Sequence, residues 1–330
     1  MINMQSSRTR RFEIRDNKPY LDGEEIQIWG IRLANALYSD KTVQNLIENL
    51  EDYVKHGVNS FSVFIQGANP GNYDPDLIFN GFDSDGRLKD EAKKRLERLI
   101  IKADEYDMIV NVGLFYQVND QNLKDEKAIK TACRETARFL RDNGLYNVYI
   151  DIVNEYAHPG FDHPIFKGNS EDKAKLQRWI KMENPSLLCG ISDVRIGRYL
   201  EEKNEKYKEY LDYPGADINF LHGLVGPINA PKILINNEPG RPDDYGNEGV
   251  ERAPGEIDKF LKKAEEYRSA PNAFFFAFSA WNQAIGGFDG KCPHFEIGGS
   301  GRSENDRGVG WYFNWVKKNV GRYEYPKHVR

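Results

Sequence analysis

Residues 146–155, YNVYIDIVNE, and residues 232–238, KILINNE, share one construction: a short apolar run, rich in β-branched residues, that closes on Asn followed by Glu. Runs of this length and composition read as strands of a buried parallel sheet. Working outward, similar runs recur along the chain. Strand one is read at 26–33 (IQIWGIRL), strand two at 58–65, strand three at 108–114 and strand four at 146–153. Strand five follows at 186–191, strand six at 217–222, strand seven at 232–237 and strand eight at 273–280. Helical spacing fills the gaps. Val43, Leu46, Ile47, Leu50 and Val54 form one stripe, with Ser39 and Asp40 as candidate N-caps and Gly57 as a stop. Ala92, Leu96, Leu99, Ile100 and Ala103 form a second, and further helices are read at about 124–142, 170–182, 194–211, 255–268 and 307–319.

Eight strands alternating with helices predict an α/β fold, and specifically a single (β/α)8 TIM barrel. One unit is short: Pro227 and Pro231 crowd the link between strands six and seven, so the sixth helix is expected to be truncated. Residues 1–25 read as an N-terminal tail and β-hairpin, with Asp22-Gly23 as a turn, able to plug the bottom of the barrel. With no linker, internal repeat or low-complexity tract, residues 1–330 are expected to form one domain.

Composition narrows the function. Hydrophobic residues make up 39 %, enough for a sizeable core, and the net charge of −5 leaves no basic footprint for nucleic acid. No apolar run approaches the ~20 residues of a membrane span. The N-terminus has no apolar segment of the secretory type, so a soluble protein is expected, either cytoplasmic or secreted with its signal removed. Cys133, Cys189 and Cys292 are odd in number and widely spaced, without a zinc-binding pattern, and read as buried free thiols. The charge run 201–209 reads as a solvated helix face. Neither cofactor nor metal is expected, and the sequence is silent on oligomeric state.

In such a barrel the site lies at the C-terminal ends of the strands. Strand one ends near Arg32, strand three runs into Tyr116 and Gln117, and strand four ends in Asn154-Glu155. Strand six ends in His222, strand seven in Asn237-Glu238, and strand eight in Trp281-Asn282. Alternation of side chains along a strand sharpens the reading. It places Tyr149, Asp151, Val153 and Glu155 inward on strand four, with Ile150 and Ile152 against the helices. On strand seven it puts Leu234, Asn236 and Glu238 inward, with Ile233 and Ile235 outward. On strand eight it puts Ala277, Ser279 and Trp281 inward, with Phe274, Phe276 and Phe278 outward. Glu155, Glu238 and Trp281 then aim at one axis, provided no bulge shifts the register. Two carboxylates meeting at a barrel mouth suit glycoside cleavage, and an aromatic ring beside them suits the C–H face of a sugar.

With these residues in view, the chain resembles the clan A glycoside hydrolases, the cellulase, β-mannanase and β-galactosidase superfamily of (β/α)8 barrels. The resemblance rests on Asn154-Glu155 in DIVNEYAHP, Glu238 in ILINNEPG and Trp281 in FSAWNQ, in that order. It implies that Glu155 is the acid/base, Glu238 the nucleophile, Asn154 the partner of the sugar 2-OH, and Trp281 a wall of the cleavage subsite. Two departures stand out. The clan often carries an Arg at the end of strand two, where this chain has Phe64-Ile65-Gln66, so Arg32 is the candidate substitute. The clan often carries His-x-Tyr at strand six, whereas His222 is followed by Gly223 and Leu224.

The reading is therefore a retaining glycoside hydrolase acting on a β-glycosidic bond of an oligo- or polysaccharide. Glu155 and Glu238 would be catalytic; Asn154, His222, Trp281, Arg32, Gln117 and Asn282 would bind substrate. Two alternatives belong to other classes. One is a carbohydrate-binding barrel without catalysis. The other is a metal-dependent hydrolase using His158, Asp162 and His163 in the loop after strand four. Arg195, Arg198 and Arg241 lie after strands five and seven and suggest an anionic substrate.

Overall fold

The computed structural model describes residues 7–68, 79–242, 255–283 and 294–321. The chain begins with β1 (Phe12–Arg15), β2 (Lys18–Leu21) and the two-residue β3 (Glu24–Glu25), paired antiparallel as a small three-stranded sheet. Two turns make it. Asp16 and Asn17 both take positive φ between β1 and β2, and the expected Asp22-Gly23 turn joins β2 to β3.

The barrel follows: β4 (Trp29–Arg32), β5 (Ser60–Phe64), β6 (Ile109–Phe115), β7 (Val148–Val153), β8 (Cys189–Gly190), β9 (Ile218–His222), β10 (Ile233–Glu238) and β11 (Ala273–Ala277). All pairings within it are parallel. The eight strands form a nearly closed (β/α)8 barrel, with β8 and β9 as the two staves at the seam. There the Asp217 N–H donates to the Cys189 carbonyl at 3.0 Å, and the Asp217 carboxylate accepts the Cys189 N–H at 3.0 Å.

The helices are α1 (Asp40–Lys55), α2 (Asp90–Glu105), α3 (Glu126–Asp142), α4 (Ser170–Lys181), α5 (Val194–Glu201), α6 (Tyr207–Leu211), α7 (Glu256–Arg268), the single turn α8 (Ala280–Gln283) and α9 (Gly310–Asn319). The first starts as its sequence dictates. The Ser39 hydroxyl accepts the Thr42 N–H in a capping box, and Val43, Leu46, Leu50 and Tyr53 bury one face against the barrel. Between β9 and β10 no helix forms, as the two prolines require. Four boundaries differ from expectation. Strand one is confined to β4, strand five shrinks to β8, the helix read at 194–211 breaks into α5 and α6, and strand eight stops at Ala277.

The core has two compartments. A large one lies between strands and helices. A smaller one fills the lower barrel, where Phe12, Leu21, Ile26 and Ile28 from the opening segment meet Ile109, Tyr149, Ile218, Phe220, Ile233, Ile235, Phe274 and Phe276. The hairpin therefore does close the bottom. The same cluster corrects the alternation read on two strands. Ile233, Ile235, Phe274 and Phe276 point inward, while Leu234, Phe275 and Ala277 face the helices. Apolar content alone could not choose the inner face, because both faces of a barrel strand are buried. Gly30 opposes Phe276 across the β4–β11 pair; a Cβ at Gly30 would overlap the Phe276 ring, so this glycine makes room for an aromatic on the barrel axis. Cys133 and Cys189 are buried and free, and Cys292 lies outside the described residues. Residues 201–203, 205–206 and 208–209 of the charge run are exposed. No helix among the described residues is long and apolar enough to cross a membrane.

Candidate active site

Near the mouth the period-two pattern breaks on three strands, and the break builds the site. On β6, Ile109 and Gly113 face inward; then Leu114 and Phe115 both join the outer core, and Tyr116 returns to the interior against Phe64. On β7, Tyr149 and Asp151 face inward; Ile152 and Val153 then both join the outer core. Val153 is thus not the inward residue that alternation predicted. Asn154 turns in, and Glu155 follows with φ of 56°. On β10, Asn236 faces α7, donating to the Tyr267 hydroxyl at 3.3 Å, contrary to its expected inward placement. The pairing with β9 then slips between Asn236 and Glu238, a bulge that leaves Asn237 and Glu238 both at the mouth. A left-handed residue on one strand and a bulge on the other each present two consecutive polar side chains where a regular strand presents one.

The two carboxylates meet at His222. Its Nδ1 lies 3.4 Å from Glu155 Oε1 and 3.4 Å from Glu238 Oε2, and the three atoms all fall within 4.8 Å of one another. The Glu155 side chain is 22 % exposed and that of Glu238 14 %, so a reactant can reach both. Arg32 is wholly buried below them. Its Nη2 is 2.9 Å from Glu238 Oε2 and donates to Asn154 Oδ1 at 2.8 Å and to the Tyr116 hydroxyl at 3.5 Å. The Phe64 and Phe278 rings lie 4.6 and 5.5 Å from its guanidinium carbon. Phe278 therefore also belongs to the interior, against its expected placement. Gln117 completes the group, donating to Glu155 Oε2 and accepting from Asn154 Nδ2, each at 3.1 Å.

Beneath lies a support that strand-end reading did not single out. Asp151 is fully buried. It accepts the Ser192 N–H at 3.2 Å and the Asn237 amide N–H at 3.1 Å. Asn237 Oδ1 is 3.1 Å from His222 Nε2, and the Ser192 hydroxyl accepts the Glu155 N–H at 3.0 Å. The signal was present: an Asp inside the apolar run YIDIV must find partners when buried.

Burial pushes Glu238 above the usual carboxylate range, although Arg32 and His222 pull against it. Burial acts the same way on Glu155, but the His222 hydrogen bond and charge outweigh it and hold Glu155 low. Burial pulls His222 down, and Glu238 and Glu155 more than offset this, so its proton is held above the ordinary value. Two carboxylates and an imidazole at this separation titrate as one unit.

Trp281 and Asn282 fall in α8 rather than on a strand. The Trp281 indole N–H donates to the Glu296 carbonyl at 2.9 Å and its ring stacks on His294 at 4.2 Å; Asn282 donates to the His294 carbonyl at 2.9 Å. These contacts run to the returning segment and not to the carboxylates. The loop after β7 does not gather metal ligands. His163 Nδ1 is 2.9 Å from Asp120 Oδ2, and His158 Nδ1 accepts the Gly160 N–H. Among the described residues, the one group of His, Cys, Asp and Glu close enough to share an ion is Glu155, His222 and Glu238. Arg195 is committed to Asp193, which also holds the buried Lys173 at 2.5 Å, while Arg241 lies 5.8 Å from the Phe278 ring.

No family model matches the sequence, and no curated protein matches it. Solved structures match in fold. A candidate glycoside hydrolase from Bacteroides vulgatus superposes with a TM-score of 0.62 at 11 % identity, over 96 % of this chain and 62 % of that one, so the chain spans less than two thirds of that protein. The endo-1,4-beta-mannanase of Eisenia fetida gives 0.58 at 15 % identity over 96 % of each chain. The hyperthermophilic endocellulase of the archaeon Pyrococcus horikoshii gives 0.57 at 14 % identity, over 95 % of this chain and 99 % of that one. The structural neighbours are thus mannanases, cellulases and glycoside hydrolase family 5 proteins. At these identities the likeness is one of fold.

Proposed function

We propose that residues 1–330 form a single catalytic barrel, a retaining glycoside hydrolase that cleaves a β-glycosidic bond of an oligo- or polysaccharide by double displacement. The observation that carries the reading is the separation of the carboxylates: Glu155 and Glu238 place oxygens within 4.8 Å of each other across His222. Retaining enzymes hold the pair at ~5–5.5 Å, whereas inverting enzymes need ~6.5–9.5 Å for a water between them. The fold shared with mannanases and cellulases agrees with a saccharide substrate.

In this mechanism Glu238 attacks the anomeric carbon while Glu155 gives its proton to the leaving oxygen. Glu155 then takes a proton from water, which releases the sugar from Glu238. The resting site favours the opposite distribution, with Glu155 low and Glu238 high. His222 resolves this, because its Nδ1 proton reaches either carboxylate. Giving the Nδ1 proton to Glu155 while Nδ1 takes up the proton of Glu238 leaves His222 unchanged, a protonated acid and a Glu238 carboxylate facing Arg32. Asn154, Gln117 and Arg32 hold the pair in place.

Screening chromogenic glycosides and polysaccharides on the intact chain should find a substrate. The product, followed by NMR before mutarotation, should keep the anomeric configuration; an inverted product would remove Glu238 from the nucleophile's role. Turnover should survive exhaustive EDTA. A binding barrel without catalysis would retain ligands and hydrolyse none of them.

A further inference from the structure

We infer that Glu155, His222 and Glu238 form a site for a divalent cation of the zinc class, and that such an ion silences the enzyme reversibly by occupying both catalytic carboxylates. That the ion binds rests on geometry alone; that it silences hydrolysis rests on the glycosidase reading.

Three observations converge. The first is spacing. His222 Nδ1 is 3.4 Å from an oxygen of each glutamate. Tetrahedral zinc with bonds of ~2.0–2.1 Å needs ligand atoms about 3.3–3.4 Å apart. The remaining edge, between the two carboxylates, is at most 4.8 Å and closes by side-chain rotation at partly exposed glutamates. The second is the imidazole's orientation. A carboxylate only accepts, so Asp151 turns the Asn237 amide N–H toward itself and the Asn237 oxygen toward His222 Nε2. Nε2 must then carry a hydrogen, and in the neutral ring Nδ1 presents its lone pair between the two glutamates. Metal-ligating histidines are held this way, with the far N–H donated to a carbonyl that is itself fixed. The third is accessibility: three protein ligands with exposure at both carboxylates leave a fourth position for water. One contact opposes binding. Arg32 shares Glu238 Oε2, so the ion competes there with a fixed guanidinium.

The test is calorimetric titration of zinc chloride into the EDTA-stripped full-length chain. It is run beside His222→Gln and Asn237→Ala, each checked for native circular dichroism and melting. One zinc per chain is expected in wild type, with at least ~100-fold weaker binding in His222→Gln and ~10–100-fold weaker binding in Asn237→Ala. Cobalt in place of zinc should give the intense visible bands of a four-coordinate ion in wild type and lose them in His222→Gln, a readout that holds even if a variant is less stable. The chain has six histidines, so zinc binding unchanged in His222→Gln would place the ion elsewhere and overturn the inference, as would no binding up to ~1 mM. Zinc should also stop hydrolysis and EDTA restore it. Hydrolysis that is indifferent to a zinc ion shown to bind at His222 would overturn the silencing and, with it, the roles given to the glutamates. Absence of zinc binding beside robust hydrolysis would end this inference and leave the glycosidase reading standing.

Discussion

The lower and upper halves of the barrel interior are made by the same strands under opposite rules. Below, alternation is strict: Ile233 and Ile235 on β10, and Phe274 and Phe276 on β11, pack around Phe12 and Leu21 from the opening hairpin. Above, β6, β7 and β10 each break step, and their final residues bring Tyr116, Asn154, Glu155, Asn237 and Glu238 together around Arg32 and His222. Regularity makes a plug and irregularity makes a site. Positive φ at Glu155 costs on the order of 1–3 kcal/mol and persists because its surroundings enforce it. The lower half keeps its alternation on β10 and β11 and carries no such break there.

The sharpest way to break this division is to act on the upper half. Glu238→Ala should leave the melting temperature close to wild type and lower kcat roughly 10^4-fold or more, about 5.5 kcal/mol of barrier. Azide should restore turnover and give an inverted glycosyl azide. Glu155→Ala should still release dinitrophenol from an activated glycoside in the first step, fail on natural sugars, and give a retained azide product. If either variant turns over natural substrate at the wild-type rate, that glutamate has no place in the chemistry.

Lower-half changes should do the reverse. Phe276→Ala should cost about 3–5 kcal/mol in urea unfolding, with kcat per folded molecule unchanged. A fall in kcat without loss of stability would show that the halves are not separate. Gly30→Ala, which intrudes on the Phe276 ring, should cost about 1–3 kcal/mol, and the pair Gly30→Ala with Phe276→Leu should recover part of the loss. Strict additivity in that cycle would deny the contact.

The smallest effect is the pH dependence of stability at the boundary. His222 holds its proton more tightly folded than unfolded. Its contribution is therefore complete below the unfolded value of 6.5 and is lost as pH rises through the higher folded value. The stability difference between wild type and His222→Gln should shrink on going from pH 6 to pH 9. A difference that widens with pH would mean that the imidazole is buried neutral.

These halves were unequally legible in the sequence. The eight apolar runs and the prolines at 227 and 231 announced the barrel and its missing helix, because strand length and proline chemistry are local properties. Which face of β10 and β11 looks inward is not local: both faces are apolar, and only closure of the barrel decides it. The Asn-Glu pairs were visible as strand ends. Their convergence was read from alternation that the structure breaks, and Glu238 comes to the mouth through a bulge rather than through parity with Leu234 and Asn236. Asp151 was read as inward and Asn237 as a strand end, but neither was given a role, because their importance lies in linking His222 and Ser192, residues remote in sequence.

The seam gives this molecule a soft side. Stave β8 is two residues long, and Asp217 ties it to β9 through both its amide and its carboxylate. Two residues past that stave, Ser192 holds the backbone of Glu155 through its hydroxyl. The aim of Glu155 is thus tied to the shortest stave of the barrel, so that any shift of β8 would be felt at that carboxylate.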